Sequence, residues 1–190
     1  MNLFILDHDV EANVQYHVDN HVNKIALEAC QLLSCALQRM QHHNVSYDAS
    51  WWYTSGNWNT PARASVHRAY AITHGGHPLN NWCTDPVNYM WTLRYAIELC
   101  KEHQYRKGTI IQQWRMLSQL PRFTVYNLPV RWYAAVTEDL LTPAELAGGK
   151  YVTTDRVVEV YRQYYIRDKA HLHQWTKREV PEWIDTSKLT

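Results

Sequence analysis

Val18, Val22, Ile25, Ala29, Leu32, Leu33 and Ala36 recur at steps of three and four along the first fifth of the chain. That spacing puts all seven on one stripe of an α-helix, and a stripe of this length needs other elements packed against it. Asp7 or Asp9 can cap its start, and the pattern predicts one helix from about Val10 to Gln41. The same helix carries a second face. At 100° per residue His17, His21, Lys24, Glu28, Gln31 and Cys35 fall within about an 80° sector, roughly 110° from the apolar stripe.

The rest of the chain repeats the helical theme. Residues 42–61, rich in Trp and Tyr and punctuated by Gly and Pro, read as a long loop carrying Trp51, Trp52, Tyr53 and Trp58. A helix is predicted over 62–72, then the breaker THGGHP and a short helical turn around 79–82. Asp85 followed by Pro86 caps a long helix that ends at Gly108. A further helix over 110–118 precedes a Pro-broken, extended or irregular stretch, TPAELAGG forms a short helix or turn, and from Thr154 the pattern returns to helix as far as about Trp175. The expected fold is all-α: a single compact helical domain over residues 1–190, with long loops and at most short extended segments.

Charge and cysteine usage narrow the function classes. Nineteen Lys plus Arg against 18 Asp plus Glu leave a net charge of +1, so any binding of nucleic acid has to rest on a local patch. Cys30, Cys35, Cys83 and Cys100 lack CxxC spacing and fall in half-apolar helical segments, which argues for reduced, buried thiols. The start MNLFILDHD lacks a signal-peptide pattern and no stretch approaches a membrane span, so a soluble, intracellular protein without a membrane partner is expected. Nine Trp and thirteen Tyr accompany only two Phe, a balance suited to half-wet stacking surfaces.

The polar face of the first helix is the leading candidate for chemistry. Lys24 and the imidazoles of His17 and His21 could hold phosphate or leaving-group charge while Glu28 moves a proton or orients Lys24. The bland alternative is a solvated face with an i,i+4 pair. His17 and His21 have the HxxxH spacing of two metal ligands, with Glu28 or Asp7 as further donors. Val18, however, stands where zinc hydrolases carry glutamate, so no metal is assigned. No P-loop or dinucleotide fingerprint occurs, and no cofactor is expected.

Two further segments suggest nucleic acid. His74 and His77 flank paired glycines at a loop-to-helix junction, where backbone N–H groups can approach phosphate. Aromatic and basic residues alternate after Thr154, so that Arg162, Lys169 and Arg178 could hold phosphate while Tyr165 and Trp175 stack on bases.

The QYH of the first helix, then HGGHPLNNW, then a long helix ending near YRKG, resembles the arrangement in the small phage-type pyrimidine-dimer DNA glycosylases, the endonuclease V family. The likeness covers roughly residues 1–108. It implies an all-α fold and DNA base excision with a flipped-out nucleotide and an imine at the sugar carbon, and His17 matches the family's helix histidine. The family's helix glutamate and arginines correspond to positions near His21, Asn23 and Lys24. The resulting expectation is a DNA-acting base-excision or base-modification enzyme accommodating a flipped pyrimidine. Three rivals stand beside it: a phage-type transferase attaching a group such as an amino acid to an activated pyrimidine in DNA, a metal hydrolase, and a protein-interaction module anchored by the aromatic loop.

Overall fold

The computed structural model describes residues 1–42, 70 and 74–188. The predicted loop over 42–61, its Trp51, Trp52, Tyr53 and Trp58, and the predicted helix over 62–72 lie essentially outside these residues.

The first helical segment is broken in two. α1 (Val10–Gln15) is capped by Asp9, whose carboxylate accepts from the backbone N–H of Glu11 and Ala12 at 3.0 and 2.9 Å. Asp7, the other expected cap, instead holds Arg162 at 3.0 Å. α2 (Asp19–His42) then carries the apolar stripe. Between them the chain leaves the helical path, and Arg106 makes that affordable in hydrogen bonds: its Nη2 donates to the Gln15 carbonyl at 2.9 Å and its Nη1 to the His17 carbonyl at 2.8 Å. Periodicity cannot reveal such a break, because the acceptors freed by it are satisfied by a residue about 90 positions away.

α3 (Pro78–Trp82) and α4 (Pro86–Lys107) follow. Asp85 caps α4 through Val87 N at 2.8 Å, Pro86 occupies the first turn, and Gly108 closes it at φ 73° with its N–H on the Gln104 carbonyl. Only a residue without Cβ adopts that left-handed position cheaply. α4 packs along α2, the most extensive contact between elements among the described residues, with Ala26, Ala29, Ala36 and Ala96 fully buried. Small side chains there let the helix backbones approach while Leu32, Leu33, Leu93 and Leu99 fill the flanks.

α5 (Gln113–Leu117) is shorter than predicted. β1 (Arg131–Tyr133) lies in the stretch expected to be extended, and pairs antiparallel with β2 (Tyr151–Thr153) in the register Trp132 to Val152. α6 (Pro143–Ala147) sits between them with a capping box from Thr142 and Glu145. Trp132 docks against Trp91 and Trp82, ring centroids 4.7 and 5.4 Å away, and so joins the small sheet to the helices.

α7 (Thr154–Asp168) ends earlier than the periodicity predicts. The chain then crosses back over α2: Gln174 accepts from Asp19 N at 2.8 Å, Trp175 Nε1 donates to the Tyr16 carbonyl at 2.9 Å, and Thr176 donates to the Asp19 carboxylate from both its N–H, at 2.9 Å, and its hydroxyl, at 2.6 Å. One contiguous apolar core runs from Leu3 to Tyr165. The architecture is all-α apart from the two-stranded sheet. All four cysteines are buried and unbridged, as the spacing suggested. Among the described residues no helix is long and apolar enough to cross a membrane.

Candidate functional site

The N-terminal segment 2–6 lies against α2 and α7, and this packing gives the polar face of α2 its surroundings. Asn2 is the tie. Its backbone N–H donates to Glu28 Oε2 at 2.6 Å, its side-chain amide donates to the Ala135 carbonyl at 2.8 Å, and its Oδ1 accepts from the Tyr161 hydroxyl at 2.6 Å. Glu28 is thereby held in place from one side, while Lys24 Nζ lies 3.8 Å from its other oxygen. The Lys24 side chain is 65% exposed, so its charge is available at the surface.

His17 and His21 do not share that exposure. His17 is buried with both ring nitrogens occupied: Nδ1 faces the Asn13 carbonyl at 2.8 Å and Nε2 faces the Tyr95 hydroxyl at 2.6 Å. A carbonyl only accepts, so the Nδ1 proton is committed to Asn13 and Nε2 must accept from Tyr95. Burial, with the nearby Arg106 charge, lowers the His17 pKa to about 3, which keeps the ring neutral. A ring held this way offers no lone pair to a metal and no nitrogen to a substrate. Sequence spacing selected His17; its interior position makes it a support for the site.

His21 stacks on Phe4 with centroids 4.5 Å apart and planes 8° from parallel, and its Nδ1 meets the hydroxyl of buried Tyr165. A hydroxyl can both give and take a proton in such a contact, so it fits either tautomer of the neutral imidazole. Burial above all, with smaller electrostatic contributions from the lysines Lys169 and Lys24, lowers the His21 pKa to about 3. Lys169 lies with its ammonium 4.8 Å from the Tyr164 ring centroid, and Tyr164 in turn stacks on Phe4 at 6.1 Å. Lys169 thus reaches the Phe4–His21 stack through Tyr164, and Lys24 stands one turn along α2 from His21, with Glu28 one turn beyond Lys24.

His77 adds an edge to this region. It caps α3, its Nδ1 accepting from Leu79 N at 3.2 Å, so the neutral ring carries its proton on Nε2. Burial lowers its pKa, and Glu28 and the N-terminal amine are both close enough to influence it. At this junction the imidazole takes the Leu79 N–H, so that donor is not left for a phosphate. His74 is exposed at φ 51°, its carbonyl accepting from His77 N and from the Asn80 amide, each at 2.8 Å.

The C-terminal aromatic and basic residues divide. Lys169 faces the site. Arg162 donates to the Leu6 carbonyl at 2.7 Å and to Asp7, and Arg178 lies against Glu102 at 2.8 Å with its guanidinium 4.2 Å over Tyr105. Tyr165 is fully buried and Trp175 is held at the Tyr16 carbonyl. These four act as internal ties rather than as phosphate clamps or stacking platforms, because alternation in sequence cannot say which rings and cations face inward. Conversely Asn2, Phe4, Tyr95 and Tyr161 have roles that no local pattern signals, since each partner lies on a different element. Among the described residues no group of three or more His, Cys, Asp or Glu is placed to hold a metal ion. Set against protein-family models, curated proteins and solved structures, the chain finds no match.

Proposed function

We propose that the protein is a DNA-acting enzyme that excises or modifies a pyrimidine base at the face formed by His21, Lys24, Glu28 and Lys169. The observation that carries this reading is the exposed Lys24 ammonium beside Glu28, with the Phe4-stacked ring of His21 one turn away on the same helix and Lys169 over Tyr164, which also stacks on Phe4. The two lysine ammoniums near this ring suit a reacting group that develops negative charge, such as a phosphate or a departing base oxygen. Lys24 and His21 then position the reacting group. Glu28, oriented by Asn2, takes or returns the proton, and His17 with Tyr95 fixes the wall behind them. The likeness to the pyrimidine-dimer glycosylases directs the reading toward DNA bases.

The test is turnover on duplexes that are unmodified, contain a pyrimidine dimer, or carry 5-substituted pyrimidines, followed by mass spectrometry of the digested nucleosides. A missing or altered base supports the assignment, and its abolition in Lys24→Met locates it. Lys24 is mostly exposed, its 3.8 Å contact with Glu28 is worth about 1 kcal/mol, and Glu28 keeps its hydrogen bond from Asn2, so the melting temperature should shift by only a few degrees. Activity retained per folded Lys24→Met molecule would overturn the site.

A further inference from the structure

Between α4 and the irregular segment 122–128 lies a groove of about 540 Å³, a size that accepts one nucleotide. Its floor is apolar, formed by Met90, Trp91, Leu93 and Ile97 of α4, and its rim carries Arg94, Lys101 and Arg122. Tyr126 stands at the edge with 94% of its surface exposed. Among the described residues Tyr126 is the most exposed large hydrophobic side chain, whereas Tyr89, Tyr95, Tyr161 and Tyr165 are completely buried.

The rim is positively biased. Glu98, the carboxylate among the lining residues, is drawn to Lys101 at 2.7 Å, and Arg94 has Glu11 at 3.8 Å. Arg122 makes no ion pair with any described residue. A purely apolar ligand would ignore these cations, and a bare anion would ignore Trp91 and Tyr126. A nucleotide uses both, its base on the rings and its phosphate on the arginines.

We infer that this groove binds a nucleotide unit of single-stranded DNA, with Tyr126 stacking on the base and Arg122 holding the phosphate. The inference adds a second site to the DNA-acting reading and rests on that reading for the choice of polymer. Buried rings lie between the groove and the site: Trp91 of the floor stacks on Tyr95 at 5.0 Å, and the Tyr95 hydroxyl meets His17. A strand seated here is thus separated from the His21 face by the aromatic core.

The experiment is fluorescence anisotropy of a labelled oligothymidylate with the full chain over a salt series, comparing the unaltered protein with Tyr126→Ala, Arg122→Glu and Lys24→Met. Tyr126→Ala should weaken binding roughly 5- to 100-fold, the range for one lost base stack. Arg122→Glu should weaken it and lower the salt slope by about one. Both side chains are exposed, so both variants fold. Oligothymidylate binding that is absent, or indifferent to both substitutions, overturns the groove assignment even if base chemistry is found. An acidic peptide that binds with sensitivity to them while DNA does not also overturns it, in favour of a protein partner. Groove-dependent binding without base chemistry on any duplex supports the groove and removes the enzymatic reading instead.

Discussion

His17 and His21 look alike in the sequence, and their environments make them chemically specific. Each is enclosed as a neutral imidazole, and each receives its hydroxyl partner from a tyrosine on another helix, Tyr95 from α4 and Tyr165 from α7. The linkage to stability has a definite sign. Both folded pKa values are depressed to about 3, so the unfolded chain binds these protons first. Their contribution is therefore complete above the unfolded value of about 6.5 and is lost as pH falls toward 3, by up to about 1.4 kcal/mol per pH unit for each ring. Asp19 and Glu102, whose pKa values are lowered by Thr176, Arg106 and Arg178 against the cost of burial, weaken folding only below about 4. Urea unfolding between pH 6.5 and 4.5 isolates the histidines, and a flat profile there would contradict the neutral, buried assignment.

At the scale of elements, the junction of α1 and α2 depends on Arg106. Its guanidinium meets two main-chain carbonyls, Asp19 at 2.9 Å and Glu102 at 2.7 Å, all with the arginine side chain fully buried. Arg106→Met leaves two carboxylates and two carbonyls short of donors, and should cost about 3–5 kcal/mol in chemical denaturation. A loss below about 1 kcal/mol would mean that the break is held by something else. The C-terminus of α4 offers a gentler test. Nothing lies within 4 Å of a Cβ built on Gly108, so Gly108→Ala measures the left-handed backbone alone. The expected cost is about 1 kcal/mol, read from the shift of the denaturation midpoint. The same comparison explains which helix ends were legible. Asp85, Pro86 and Gly108 announce α4 because capping is local, whereas the break between α1 and α2 is held by Arg106, Thr176 and Trp175, whose positions no local window contains.

For the whole molecule, the segment after α7 works as a strap. Gln174, Trp175 and Thr176 bond across the start of α2, and Arg178 reaches Glu102, so the chain's last part closes the network that its first part opens. Deleting residues 174–188 should lower the melting temperature by well over ten degrees, since several buried hydrogen bonds of about 1 kcal/mol each and a buried charge partner are lost together. The full chain should unfold in one transition when followed by both tryptophan fluorescence and circular dichroism, as the contiguous core implies. Separate transitions would divide the chain into independent units.

The all-α character, the stripe of α2, the caps of α4 and the buried thiols could be read from the residues, because helical periodicity and capping act over one or two turns. The polar face of α2 was equally visible, and it put Lys24 and Glu28 one turn apart as a pair. Its chemistry was not visible. Whether a histidine is neutral, which nitrogen holds its proton, and whether an arginine faces solvent or a buried carboxylate all depend on desolvation and on partners brought from distant positions. Asn2 on Glu28, Tyr95 on His17, Tyr165 on His21 and Glu102 on Arg178 are such partners, and only the folded chain places them there.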